Sequence, residues 1–490
     1  MLVTTDQLLA LLVTMVSVLL FLALIAGGGL SYFLIRRLRG RPRARRTSAP
    51  VAVPPAAPAT PPHASAGRSH TADEPVPKGD VVRDDPRIIA LGLEAPLSIA
   101  AVFRNLDKIK PLLRQEVPES DRIGRTTPLA GGALRATGVY LWTFPANRGG
   151  LDAPYADRLE AVSQVARIDA GMAWVVHWLS SHSELAGRLD EESFTQLYPS
   201  LDLPTVFSAT PPARAIETGT DTYRIEQARW RLGSGGYHAD RWLAGANVFD
   251  AAGEPVIDKA TGVHKAIGVW VPSDKLRQID DWNPLGLRSS GSASYELTGP
   301  VEVPRGWSFE ITGDTGAHFF PFMGVMVGAA QHLVDLTLQL VRSKRQAGVN
   351  TGSHDVTALA DAMSSLDMLA LGLRGYAQYI DRVRTERAGV FTSEEAAWIH
   401  TVGMPVRETL MRVRDITSDI YGTGYVPADS EFGRVLRDIQ VGLAHAWFRR
   451  SDALDLRTRH MSVVLDSPRF APIWDAGWPV QLPTGVPSPS

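Results

Sequence analysis

No cysteine occurs among the 490 residues. This excludes disulfides, thiolate nucleophiles and zinc or iron–sulfur centres held by sulfur. Redox chemistry would therefore need a borrowed cofactor. Charge of one sign is also lacking: 50 Lys and Arg against 52 Asp and Glu leave a net charge of −2, which argues against a nucleic-acid partner. The short motifs that most directly reveal chemistry are missing as well. No Gly-x-Gly-x-x-Gly follows a strand, there is no phosphate loop, and no His-Glu-x-x-His occurs. Gly233-Ser234-Gly235 lacks the spacing of a nucleophile elbow. His177 and His182 are five apart, wrong for one helical face, so no metal site is expected there.

What is present is a chain that is 44% hydrophobic and 21% charged, enough to bury a core over one large domain or several. Leu8–Ile35 carries no charge over 28 residues, more than the roughly 20 needed to cross a bilayer. Seven Arg follow between Arg36 and Arg46, and none precedes the run. A cleaved signal peptide has its positive charge in front. The expectation is therefore a single-pass membrane anchor with the body cytoplasmic. Thr47–Pro62 holds six Pro and five Ala, an extended tether. The expected divisions are a transmembrane anchor at 1–35, an Arg-rich stop and Pro/Ala-rich linker at 36–85, and an N-terminal helical domain at 86–202. A central β domain at 203–312, a C-terminal helical bundle at 313–465 and a tail at 466–490 complete them.

Periodicity supports that plan. Asp152–Trp178 repeats apolar residues at three- and four-residue spacing. Trp242–Val248, Lys265–Val271 and Ser294–Leu297 alternate and are punctuated by turns, which reads as antiparallel sheet. Leu359, Met363, Leu366, Leu369, Leu373, Ala377 and Ile380 mark one face of a long helix, and Thr392-Ser-Glu-Glu395 is a capping box. The fold class is α+β.

Three segments could carry chemistry. Trp230-Arg-Leu-Gly-Ser234-Gly235-Gly236-Tyr-His238 has glycines that let backbone approach a flat ligand, although a plain glycine-rich turn reads the same way. Trp282–Ser292 offers Arg288 with the hydroxyls of Ser290 and Ser292, able to grip a phosphate, or else a surface turn. Asp438 and His445 are seven apart, two turns of one helix face, where a lone His is more often structural.

Taken in order, these segments resemble the acyl-CoA dehydrogenase superfamily from about Ile99 to Arg450. Ala133-Leu-Arg-Ala-Thr-Gly138, Gly149-Gly150, Arg167–Trp174, Trp230-x-Leu-x-Ser234-Gly235, Gly286-Leu-Arg288, Gly422-Thr-Gly424-Tyr425 and Arg437-Asp438 carry the match. The resemblance implies an N-terminal helical domain, a central antiparallel β-barrel-like domain and a C-terminal four-helix bundle. Within the superfamily the chain is most similar to the hydroxylase components of two-component flavin-dependent monooxygenases. Asp169, Trp174 and His182 match their Asp-x-x-x-x-Trp followed by His. Trp230, Ser234, Gly235, His238, Ala239, Asp240 and Trp242 match a second motif, with Leu232 in place of Phe and Arg241 inserted. His445, seven after the Arg-Asp pair, matches a third.

The resemblance implies a reduced FAD or FMN supplied by a separate flavin reductase, and hydroxylation of an aromatic or similar small-molecule substrate. Ser234 would hydrogen-bond the flavin and His445 would act as a donor to bound oxygen. His182 would be the base for the substrate or orient it. Trp230, Ser234, Gly235, Arg288, Ser290, Ser292, Arg437 and Asp438 would line the cofactor. It also implies a homo-oligomer, a tetramer. Two other readings stay open: an FAD-dependent acyl-CoA dehydrogenase, whose Glu base has no match before Asp452, and a non-catalytic membrane-tethered member.

Overall fold

The structure is a computed structural model. It describes residues 84–465 apart from 227, 260–261, 312–318, 388, 390, 453–456, 459–460 and 463–464. The expected anchor at 1–35, nearly all of the linker at 36–85 and the tail at 466–490 lie outside the described residues.

Among the described residues a single helical turn, Pro86–Ile89, and then five longer helices precede the sheet: α1 (Ile99–Ile123), α2 (Pro128–Ala136), α3 (Tyr155–Ala166), α4 (Ala170–Glu184) and α5 (Glu191–Leu197). Side-chain caps start most of them. Ser98 accepts from the Ala101 amide, Thr127 from that of Ala130, and Asp169 from that of Met172. The apolar periodicity over Asp152–Trp178 is not one helix but two, broken where Asp169 adopts an extended backbone to cap α4.

Nine strands follow: β1 (Thr205–Glu217), β2 (Thr222–Glu226), β3 (Arg229–Trp230), β4 (Arg241–Phe249), β5 (Ala266–Val271), β6 (Leu276–Ile279), β7 (Ser294–Leu297), β8 (Val301–Pro304) and β9 (Ser308–Glu310). They form a six-stranded sheet, β8-β2-β1-β4-β5-β9, and a three-stranded one, β3-β7-β6. The expectation of a purely antiparallel sheet needs correction, because β1 and β4 pair in parallel. Strand β1 also shifts register between Ser208 and Ala213. Pro211 and Pro212 fall inside that shift, and proline cannot donate to a ladder, so it marks an irregularity there. The same prolines conceal β1 from pattern reading.

The remaining helices are α6 (Met323–Gln346), α7 (Ser353–Arg387), α8 (Ser393–His400), α9 (Gly403–Tyr421) and α10 (Glu431–Gly442). Thr392 and Glu395 make both bonds of the capping box that opens α8. On α7 the residues Leu359, Leu366, Leu373, Ala377 and Ile380 are buried, whereas Met363 is exposed. Helix α6 touches α3 backbone to backbone. A methyl at Gly328 would lie 2.3 Å from the Ser163 carbonyl oxygen, and one at Gly324 would lie 2.5 Å from that of Leu159. That contact joins the two helical layers into one core that runs from Ile88 to Phe448. A second core, around Ala215, Ile225, Trp230, Ala246 and Val269, fills the sheet.

Candidate active site

Helix α4 carries most of the site. Of its fifteen residues all but Trp178 are buried. Trp174, Trp178 and His182 recur every four residues and so stack along one face. The Trp174 indole Nε1–H donates to Ser234 Oγ at 3.0 Å, across to the loop after β3. Ser234 Oγ lies 2.8 Å from Ser292 Oγ, which lies 2.8 Å from Ser290 Oγ. All three serines are buried.

Glycines make this loop possible. Gly235 adopts φ +77°, and its amide donates to the Ser290 carbonyl at 3.0 Å. A methyl on Gly236 would lie 2.0 Å from the Tyr295 hydroxyl. Leu232, by contrast, holds φ +60° with a side chain and leaves that side chain 58% exposed, two residues before Ser234. Strained backbone of this kind persists where the surroundings over-determine it.

A buried ionic knot ties α4 to the loop and to α10. Asp169 Oδ1 accepts from the Met172 amide and from the Ser289 hydroxyl, while Oδ2 accepts from Arg434 Nη1 at 2.6 Å. Arg434 also lies 3.6 Å from Asp438, whose Oδ1 accepts from the Leu287 amide at 2.6 Å. Two carboxylates thus share one guanidinium. Burial first, then the charge of Asp169, pushes the Asp438 carboxyl well above its usual range.

His445 does not share a helix face with Asp438. Helix α10 ends at Gly442, and the amides of Ala444 and His445 reach back three residues to the carbonyls of Val441 and Gly442, tightening into a turn. That turn carries the His445 ring to 5.8 Å from Trp174, 4.7 Å from Phe322 and 6.1 Å from Trp178, centroid to centroid. Burial lowers its pKa to about 4, so the ring is neutral at pH 7. Its Nδ1 accepts from the Trp447 amide at 3.4 Å, which assigns the proton to Nε2 as a donor.

His182 stands in the complementary state. It bonds the Thr205 backbone, its Nδ1 is buried with no partner among the described residues, and burial lowers its pKa to about 3. With the Thr205 carbonyl taking a proton from Nε2, Nδ1 is a bare acceptor. The structure thus brings together His445, His182 and Ser234, one as donor, one as acceptor and one as hydroxyl, around Trp174, Trp178 and Phe322.

Other expected site residues are placed elsewhere. Trp230 lies in the sheet core and donates to the Gly245 carbonyl at 3.1 Å. Arg288 is taken up by the Asp121 carbonyl at 2.7 Å and by Asn283, so it clamps the loop to α1. Arg437 lines a separate cleft of about 420 Å³ with Arg114, Asp121 and His332. Asp438 acts through Leu287 and Arg434 as described. His238 bonds the Thr126 carbonyl at 3.1 Å, and Asp240 pairs with the buried Arg135 at 2.8 Å, so this motif fastens α2 to the sheet. Arg434, Trp178 and Phe322 also belong to the site, and no motif marks them. Arg434 was detectable as a cation one turn before Asp438; Phe322 belongs to another helix layer and gave no local signal.

No protein-family model matches the chain. Over 190 residues it is 25% identical to the oxygenase subunit HsaA, a flavin-dependent monooxygenase of Rhodococcus jostii, covering 39% of this chain and 47% of that one. The chain thus spans about half the length of that relative. It is 26% identical over 376 residues to the amino sugar nitrososynthase DnmZ of Streptomyces peucetius, covering 69% of this chain and 87% of that one. Among solved structures, XiaF from Streptomyces, in complex with FADH2 and glycerol, superposes with a TM-score of 0.67 at 18% identity, over 76% of this chain and 97% of that one. TdsC from Paenibacillus, with FMN and indole, gives 0.63 at 18%, over 75% and 97%. The chain shares the α+β fold of these solved structures.

Proposed function

We propose that this chain is the oxygenase component of a two-component flavin-dependent monooxygenase, which hydroxylates a small aromatic molecule with reduced FMN or FAD delivered by a separate reductase. The observation that carries this is the placement of the Ser234 hydroxyl, the His445 donor and the unpartnered His182 Nδ1 against the neighbouring rings of Trp174 and Trp178. The glycines at 233, 235 and 236 let the loop pack tightly against Tyr295 and Leu179, which fixes Ser234, and the Ser234 hydroxyl suits a ring nitrogen.

Reduced flavin, when bound, supplies the electrons that activate O2. The chain's residues have defined tasks beside it. Trp174 and Ser292 hold the Ser234 hydroxyl in place. His445 Nε2–H donates to negative charge that develops on oxygen. His182 Nδ1 accepts the substrate's hydroxyl proton or orients that hydroxyl. The Trp174, Trp178 and Phe322 rings exclude water.

The dehydrogenase reading needs a carboxylate base, and two candidates are already engaged. Asp452 is paired with Arg449 at 2.7 Å. Glu184 is held by Arg158 and Tyr155. Nitrogen oxidation of an amino sugar is a second reading, supported by the longer match to DnmZ. Two further parts of the proposal rest on other features. Leu8–Ile35 with its trailing Arg cluster supports a single-pass anchor with the body cytoplasmic. The outer face of α7 exposes Met363, Met368 and Leu371, which supports a homo-oligomer, a tetramer, assembled through this bundle.

The test is oxygen uptake by the full-length protein with chemically reduced FMN or FAD, with product and hydrogen peroxide measured over simple phenols. Flavin-dependent product formation is expected. Absence of flavin binding would end the proposal.

A further inference from the structure

We infer that the cleft lined by α1, α6 and α10 is a second ligand site, one that takes a zwitterion of the aliphatic α-amino-acid kind. Its volume of about 420 Å³ suits a small molecule. Its wall includes polar side chains that are themselves buried. Arg434 and His332 both line it, with side chains 8% and 9% exposed. His332 Nε2–H donates to Glu431 Oε1 at 3.0 Å, and His332 Nδ1 has no partner among the described residues. Val117 and Ile168, buried as well, give the same cleft an apolar patch.

Charge decides the ligand class. Arg434 is already engaged by Asp169 and Asp438, Arg167 pairs with Asp335 at 2.6 Å, and Glu431 is held by His332. Arg114 and Asp429 are exposed to water. That leaves Arg437 and Asp121, both half-buried. Neither side chain makes a hydrogen bond or ion pair among the described residues, and they do not pair with each other although both line the cleft. A lone anion would meet the Asp121 carboxylate, and a lone cation the Arg437 guanidinium. A zwitterion answers both: its carboxylate takes the planar fork of Arg437, and its ammonium donates to Asp121. Drawing two half-buried charges out of water is offset only when each meets its opposite. The aliphatic side chain then lies on Val117 and Ile168. None of these contacts involves Ser234, His182 or His445, so the site stands apart from the oxidative chemistry.

The test uses the full-length protein at pH 7 and three probes of related carbon skeleton, read by isothermal titration calorimetry. L-Leucine carries both charges, 4-methylpentanoate lacks the ammonium and 3-methylbutylamine lacks the carboxylate. Leucine should bind wild type at least about tenfold more tightly than either analogue, since a polar group left unmet is costly. Arg437→Gln should erase the preference for leucine over the amine, and Asp121→Asn the preference for leucine over the acid. Arg437→Lys, which keeps the charge but not the fork, should retain part of it and guards against a fold defect in the Gln variant. Melting temperatures should stay near wild type, as expected for side chains without partners. No leucine binding to wild type would overturn the inference. So would an analogue that binds as tightly as leucine, or leucine binding unchanged in both Arg437→Gln and Asp121→Asn.

Discussion

The Trp174 indole nitrogen and the Ser234 hydroxyl oxygen, 60 residues apart in sequence, meet at 3.0 Å and join α4 to the glycine loop of the sheet. Ser292 Oγ contacts the same Ser234 oxygen at 2.8 Å. A hydroxyl oxygen has two lone pairs and one proton. Trp174 donates into one lone pair; either serine can donate in the other contact, and when Ser292 does, the Ser234 proton points at a ligand. This makes Trp174 a positioning residue.

Trp174→Phe keeps the ring and deletes the donor. The loss of one neutral hydrogen bond should cost about 1 kcal/mol of stability. Product yield per flavin oxidised should fall, as it should for Ser234→Ala. Urea denaturation and the ratio of product to hydrogen peroxide measure the two effects, and rescue of coupling by Trp174→His, which restores a ring N–H, separates positioning from packing.

Arg434 is the sole cation between the buried carboxylates of Asp169 and Asp438 among the described residues. Arg434→Ala leaves them uncompensated and should destabilise the protein by about 3–5 kcal/mol. Arg434→Lys should recover only part of this, because an ammonium lacks the planar fork. Chemical denaturation at pH 7 decides; a loss within the noise would mean the knot is dispensable.

Acid should act through the histidines. His445 and His182 have pKa values lowered to about 4 and about 3, against about 6.5 in an unfolded chain. Below pH 6.5 the unfolded chain takes up protons that the folded one refuses, so stability falls as pH drops towards 4 and is restored above 6.5. His445→Gln should flatten this decline by at most about 1.4 kcal/mol per pH unit. Denaturation midpoints taken between pH 7 and 4 test it.

Leu232 holds a left-handed backbone that costs a side-chain-bearing residue about 1–2 kcal/mol. Leu232→Gly removes that cost, and the greater unfolded-state freedom of glycine offsets part of the gain. The melting temperature should therefore hold or rise slightly, while flavin affinity drops as the exposed side chain beside Ser234 is lost. A parallel fall in both would show that Leu232 is merely structural.

Sequence reading found what is local. The capping box at Thr392 and Glu395, the alternation of β4, β5 and β7, and the pairing of short motifs with an oxygenase-like order could all be seen along the chain. It failed where partners are distant. Trp230 looked like a cofactor residue by motif, yet its N–H closes a bond inside the sheet core. Arg288 looked free to hold phosphate, yet carbonyls 4 and 167 residues away engage it. Asp438 and His445 suited one helix by spacing, but the helix stops at Gly442, where a Cβ would lie 2.4 Å from the Met326 sulfur. No periodicity encodes that approach of α6.

His445→Ala in the full-length protein, supplied with chemically reduced FMN and oxygen, tests the central claim most directly. If His445 Nε2 donates to charge that develops on oxygen, the variant should bind flavin and melt much as wild type does. Product should fall about 10²–10³-fold, as expected for a lost buried donor, while hydrogen peroxide release rises. A well-folded His445→Ala protein with unaltered coupling would contradict the account.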